Sequence, residues 1–108
     1  MLTRNAAIKT VRNYAKEIND KGVNLRKVIL FGSFAKGTQH EWSDIDVALV
    51  ADNFTGVSFL DKKLFPYIGI KKPYIGIETH TYPTDYFEES DPFIEEIKKT
   101  GIEININN

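Results

Sequence analysis

Asp44 and Asp46 flank Ile45 at the head of an apolar run, Asp-Ile-Asp-Val-Ala-Leu-Val over residues 44–50. Upstream, separated by ten residues, stands Gly32-Ser33, at the exit of another apolar run from Leu25 to Phe31. Two carboxylates inside a buried strand are costly unless something pairs with them. Strand periodicity puts Asp44 and Asp46 on one face, with Cα atoms roughly 6.6 Å apart at about 3.3 Å per residue. Side chains so placed can share divalent ions about 3.5–4 Å apart, the two-metal arrangement of phosphoryl-transfer chemistry. Hard oxygen donors suit Mg²⁺ or Mn²⁺ rather than zinc. Gly32-Ser33 supplies the complementary half. Amide groups at a helix start favour anions, Gly32 lets a phosphate approach the backbone, Ser33 adds a hydroxyl, and Lys36 adds a point charge one turn on. Phosphate at the turn and metal at the carboxylates describe a nucleoside triphosphate site. A calcium loop fits poorly, because the spaced oxygen ligands and central glycine of an EF-hand are missing.

With four fixed residues at roughly 5–7% usage each, a chance match in the chain is on the order of one in a thousand. Taken singly, each residue has an ordinary use: Gly32 in a turn, Ser33 as a cap, Asp44 as a polar strand start. Asp46, between Ile45 and Val47, is the hardest to accommodate without a ligand.

The elements around these residues follow from periodicity. Ala7, Val11, Tyr14, Ala15 and Ile18 form one stripe of a helix from Thr3 to Lys21, with Thr3 as cap and Gly22 as stop. Leu25–Phe31 reads as a buried strand, 32–38 as a tight turn into a short helix, and 39–43 as a polar loop. A second strand covers Asp44 to Val50, followed by a loop over 51–56. Val57 to about Ile68 reads as a helix that Pro66 weakens. Pro66-Tyr67-Ile68-Gly69-Ile70 repeats as Pro73-Tyr74-Ile75-Gly76-Ile77. The second copy continues into Glu78 and His80, so the third strand is expected over Tyr74–His80. Thr84 and Asp91 look like caps of two short helices, with Gly101 as the last stop. The alternating segment Ile102–Ile106 is expected to be a strand with one wet face. Trp42 is expected to pack on the domain, and Tyr67, Tyr74 and the apolar repeat are candidates for an interface.

Composition bounds the rest. The chain has 108 residues, 42% hydrophobic and 27% charged, with no cysteine. This is ordinary globular composition for a single domain over 1–108, able to bury roughly 65% of its unfolded surface. A net charge of −1 argues against a general electrostatic grip on nucleic acid. The lack of cysteine excludes disulfides, Cys-ligated zinc and thiol catalysis. No apolar run approaches the ~20 residues of a membrane span, and no secretory signal precedes the first helix. A cytoplasmic location is expected.

Phe31-Gly32-Ser33-Phe34-Ala35-Lys36-Gly37 through Ser43-Asp44-Ile45-Asp46-Val47 resembles the minimal nucleotidyltransferases of the polymerase-β superfamily, whose signature is Gly-Ser, ten residues, Asp-x-Asp. Residues 74–106 resemble small members of the group more loosely. Lys36 departs from a frequent arginine, keeping charge but losing bidentate geometry. The resemblance implies an α+β fold, a small mixed β-sheet covered by helices, of the polymerase-β palm type. It implies that Gly32 and Ser33 bind phosphate and that Asp44 and Asp46 bind metal. It also implies a third carboxylate on a neighbouring strand. Glu78 is the candidate and His80, on the same face, the fallback.

The implied reaction moves a nucleoside monophosphate, AMP from ATP, to an acceptor hydroxyl with Mg²⁺ or Mn²⁺. Small proteins of this kind are often antitoxins paired with a helical HEPN ribonuclease. Larger relatives carry an appended acceptor-binding domain, so a HEPN-type partner or a homo-oligomer is expected to complete the site. The competing expectations are a regulatory nucleotide-binding or antitoxin module without catalysis.

Overall fold

The computed structural model describes residues 2–106. The amphipathic stripe near the N-terminus becomes helix α1, Arg4–Asp20, and Ala7, Val11, Tyr14, Ala15 and Ile18 are all buried. Thr3 caps it by accepting a bond from the Ala6 amide. Strand β1 (Leu25–Phe31) leads through Gly32 into a one-turn helix, α2 (Ser33–Lys36). Strand β2 (Ile45–Ala51) is followed by α3 (Ser58–Asp61), two 3₁₀ turns, and β3 (Ile77–Pro83). Helices α4 (Thr84–Glu89) and α5 (Pro92–Thr100) and a short β4 (Ile102–Glu103) complete the order.

The four strands form one mixed sheet in the order β3-β2-β1-β4. β1 runs antiparallel to β2 and β4, while β2 and β3 are parallel. The fold is thus α+β, a mixed sheet covered by helices, as expected. Alternation along the strands splits the core in two. Val28, Leu30, Val47 and Leu49 pack with the α1 stripe on one face. Ile29, Phe31, Ala48 and Val50 pack with Phe87, Ile94 and Ile97 of α4 and α5 on the other.

Several expectations are corrected. The helix foreseen over Val57–Ile68 is only α3 and a 3₁₀ turn at Lys62–Leu64. Pro66 biases Phe65 away from helical geometry (φ −138°). The third strand starts at Ile77 rather than Tyr74, because Pro73 lies in a 3₁₀ turn and pairing begins where the Ile45 amide bonds the Gly76 carbonyl at 2.9 Å. It runs past His80 to Pro83. Tyr74 is consequently a core residue whose hydroxyl bonds Glu17, not an interface candidate. Thr84 does not cap α4. Pro83 holds that position, and the Thr84 hydroxyl donates to Asp52 at 2.6 Å. Asp91 does cap α5, accepting from the Ile94 amide at 2.7 Å. The last strand is shorter than Ile102–Ile106, although the Ile104 amide still bonds the Val28 carbonyl.

Asp61 secures the long β2-to-β3 crossover. It is 2% exposed and accepts from the amide and hydroxyl of Thr55 (2.8 and 2.9 Å), the Gly56 amide (3.1 Å) and the Thr81 hydroxyl (2.5 Å). Burial pushes its carboxyl up, but these donors outweigh burial and hold it below its ordinary value. Asp61→Ala is expected to cost about 3 kcal/mol, since it leaves several donors unpaired. Thermal melting would show this as a drop of roughly 15 °C. Because the folded pKa is depressed, the Asp61 contribution is complete above the unfolded value of about 3.9. It is lost as pH falls through the lower folded value. Acid unfolding of the wild type should therefore steepen below about pH 4, and that added slope should vanish in Asp61→Ala.

Candidate active site

The Gly-Ser turn and the acidic strand meet where β1 ends. Register pairs Phe31 with Asp46 across β1 and β2, and Asp46 with Glu78 across β2 and β3. Gly32, next in line, has φ +75° and ψ −152°, a region essentially restricted to glycine. A Cβ built there would sit on the Asp46 carboxylate, on Oδ2 and 3.2 Å from Cγ. Gly32 therefore does two things. It turns the chain out of β1 into α2, and it lets the backbone approach the carboxylate. As a glycine at the N-cap, it offers no side chain to compete for the first amides of α2.

Arg4 fixes the far end of that turn. Its Nε and a terminal nitrogen donate to the Phe34 and Ala35 carbonyls at 3.0 and 2.9 Å. This places a cation over the last carbonyls of α2, where it is favoured. Lys36 is exposed at the same C-terminal end. Arg4 carries no local signal of this role, because the carbonyls it serves lie 30 and 31 residues away.

Asp46, Glu78 and His80 form the site's donor group. One ligand atom from each lies within 4.8 Å of the others. His80 Nε2 stands 3.7 Å from Asp46 Oδ1 and 3.9 Å from Glu78 Oε1. Glu78 and His80, which the sequence offered as alternatives, are both present. Asp44 is not in the group: it precedes β2 by one residue and is exposed. Its charge nevertheless reaches Asp46. Burial first, then the Glu78 carboxylate, push Asp46 above the ordinary carboxylate range; His80 acts in the opposite sense, while a hydrogen bond with Glu78 and the Asp44 charge add to the rise.

The His80 ring packs against Phe31 and Phe93, with centroids 5.1 and 6.2 Å away, and Phe31 meets Phe93 edge-on at 5.8 Å. These two phenylalanines wall the site on the α5 side, and their role lay outside the sequence reading. Trp42 corrects that reading: it is 82% exposed rather than packed on the domain. The reason is a local turn in which the His40 amide bonds Ser43 Oγ and the Trp42 amide bonds His40 Nδ1.

The residues fit a divalent cation. The Asp46 carboxyl, its proton affinity raised, lies beside the Glu78 carboxylate, and the buried His80 Nε2 has no hydrogen-bond partner. A cation would satisfy all three. A separate groove of about 450 Å³ lies at the other end of β1, lined by Leu25, Lys27, Glu103 and Ile106 among others. It holds none of the signature residues.

Comparison with known proteins bears on the family and the fold. The family model for the nucleotidyltransferase domain matches residues 8–104. The chain belongs to the nucleotidyltransferase domain family. Among solved structures, a Sulfolobus solfataricus protein provisionally described as a nucleotidyltransferase is similar at 18% identity and a TM-score of 0.65, over 93% of this chain and 80% of that one. A toxin–antitoxin solved with AMP-PNP is similar at 22% identity and a TM-score of 0.59, over 85% of this chain and 70% of that one. At these identities the two structures establish the nucleotidyltransferase fold. No curated protein matches the chain. No described helix of this nucleotidyltransferase domain is long and apolar enough to cross a membrane.

Proposed function

We propose that this chain, a single domain over 1–108, acts in the cytoplasm and transfers AMP from ATP to an acceptor hydroxyl in a Mg²⁺- or Mn²⁺-dependent reaction. The observation that carries the proposal is the register of Asp46 beside Glu78, with the Gly32 backbone against the Asp46 carboxylate. In this reading Asp44, Asp46 and Glu78 hold the cation. Gly32 and Ser33 hold the triphosphate through backbone amides and the Ser33 hydroxyl, and Lys36 adds positive charge. When bound, a divalent ion polarises the phosphoryl oxygens and lowers the pKa of the acceptor hydroxyl.

The chain's own groups then have defined tasks. Ser33 and the turn fix the β- and γ-phosphates so that the α-phosphorus faces the acceptor. Glu78 takes the hydroxyl proton as the oxygen attacks. The bond to the β-phosphate oxygen breaks and pyrophosphate leaves. Phe31 and Phe93 keep water from one side of the reacting groups.

The toxin–antitoxin neighbour supports a protein acceptor, and we assign that role to a helical HEPN-type partner. A homo-oligomer is the other arrangement able to complete the site. A second reading, an antitoxin or regulatory module without catalysis, draws on the position of Asp44 outside the donor group. Label transfer separates the two. The domain is incubated with Mg²⁺, a helical HEPN-type partner protein, and ATP labelled at either the α- or the γ-phosphate. Label in the partner from α-ATP alone supports nucleotidyl transfer. A stable complex that takes up neither label supports the second reading.

A further inference from the structure

We propose that His80 is itself a metal ligand, so that Asp46, Glu78 and His80 form a mixed carboxylate–imidazole site that ranks Mn²⁺ above Mg²⁺. The proposal rests on the reading that Asp46 and Glu78, with Asp44 at the exposed head of β2, hold a divalent ion, and it adds a nitrogen donor to them.

Three observations on His80 lead there. First, Nε2 is buried and has no hydrogen-bond partner. Buried polar atoms are nearly always satisfied, so an orphan points to a missing ligand. Second, Nε2 is aimed at both carboxylates, 3.7 Å from Asp46 Oδ1 and 3.9 Å from Glu78 Oε1. Both gaps are too long for hydrogen bonds. A nitrogen and an oxygen bound to one ion at about 2.1 Å stand roughly 3.0–3.4 Å apart, so these pairs would close by roughly 0.3–0.9 Å around it. Third, the ring is held by packing. Phe31 and Phe93 lie against it. His80 also pairs in register with Ala48, whose small side chain leaves room beside Asp46. An imidazole fixed by aromatic contacts, with its free nitrogen turned to two carboxylates, is organised before an ion arrives.

The donor set decides the preference. Mg²⁺ takes oxygen ligands almost exclusively and gains little from an imidazole. First-row transition ions accept a nitrogen readily, and a mixed N,O set shifts selectivity towards them. An all-carboxylate site would lack that bias.

The test uses Mn²⁺ as a paramagnetic probe on the intact protein. Electron spin-echo modulation of bound Mn²⁺ should show coupling to nitrogen-14. The chain has two histidines, so His40→Gln is the control and should keep the signal, while His80→Gln should lose it. Titration should show Mn²⁺ affinity falling in His80→Gln by at least the roughly 10–100-fold that changes around metal ligands cost. Mg²⁺ affinity should change much less. The wild-type and His40→Gln spectra decide the matter even if His80→Gln folds poorly. Stoichiometric Mn²⁺ without nitrogen coupling would overturn His80 ligation and leave the carboxylate reading intact. Mn²⁺ binding that Asp46→Asn fails to weaken would overturn both.

Discussion

Asp46→Asn is expected to lower nucleotidyl transfer about 10³-fold, from a loss of roughly 4 kcal/mol of charge stabilisation, while melting at the same temperature or higher. The two halves of this result have one origin. Asp46 sits in the middle of the sheet between Phe31 and Glu78, where burial and the neighbouring carboxylate raise its proton affinity. Because the folded pKa is raised, the ionised group detracts from stability above that value. The penalty disappears as pH falls below the unfolded value near 3.9. Asparagine removes the charge, keeps the shape, and so relieves the fold while depriving a bound cation of its central ligand. Steady-state transfer and calorimetric melting of the same preparation check both halves. Unchanged transfer would contradict the assignment, and a large drop in melting temperature would show that Asp46 serves the fold.

Gly32→Ala is expected to damage both stability and transfer. Its backbone lies where L-residues are strained, and the new methyl would occupy the space of the Asp46 carboxylate. Strain and overpacking together come to about 3 kcal/mol, a loss of roughly 15 °C in melting. Catalysis should fall further than stability, because the carboxylate must move to make room. A double-mutant cycle isolates that collision. If Cβ and carboxylate compete for space, Asp46→Ala in the Gly32→Ala background should recover on the order of 1 kcal/mol. Additive losses would assign the whole cost to the backbone.

Local pattern made much of this molecule legible. The α1 stripe is buried at every foreseen position, because a helix facing a sheet has one solution to a 3.6-residue period. The Asp91 cap and the β1–turn–β2 frame were readable for the same reason: their chemistry is local. Long-range partners decided the rest. The repeat offered Tyr74 and Tyr67 equivalent surroundings, and only the bond from Ile45 to Gly76 sets where β3 begins. Asp61 lay unmarked inside a foreseen helix, because its donors come from residues 55, 56 and 81. At the site, period-two spacing put Glu78 and His80 on one face. It could not show that parallel register would set them against Asp46, or that Asp44 would stay outside.

In the proposed function Gly32, Ser33 and the acidic residues form one metal-dependent nucleotide site. Amide NMR during titration with an ATP analogue that cannot be cleaved between the α- and β-phosphates tests it most directly. Saturable shifts are expected at Gly32, Ser33, Asp46 and Glu78 that require Mg²⁺ or Mn²⁺ and are lost in Asp46→Asn. Shifts confined to the Leu25–Ile106 groove, or binding indifferent to the divalent ion, would contradict it.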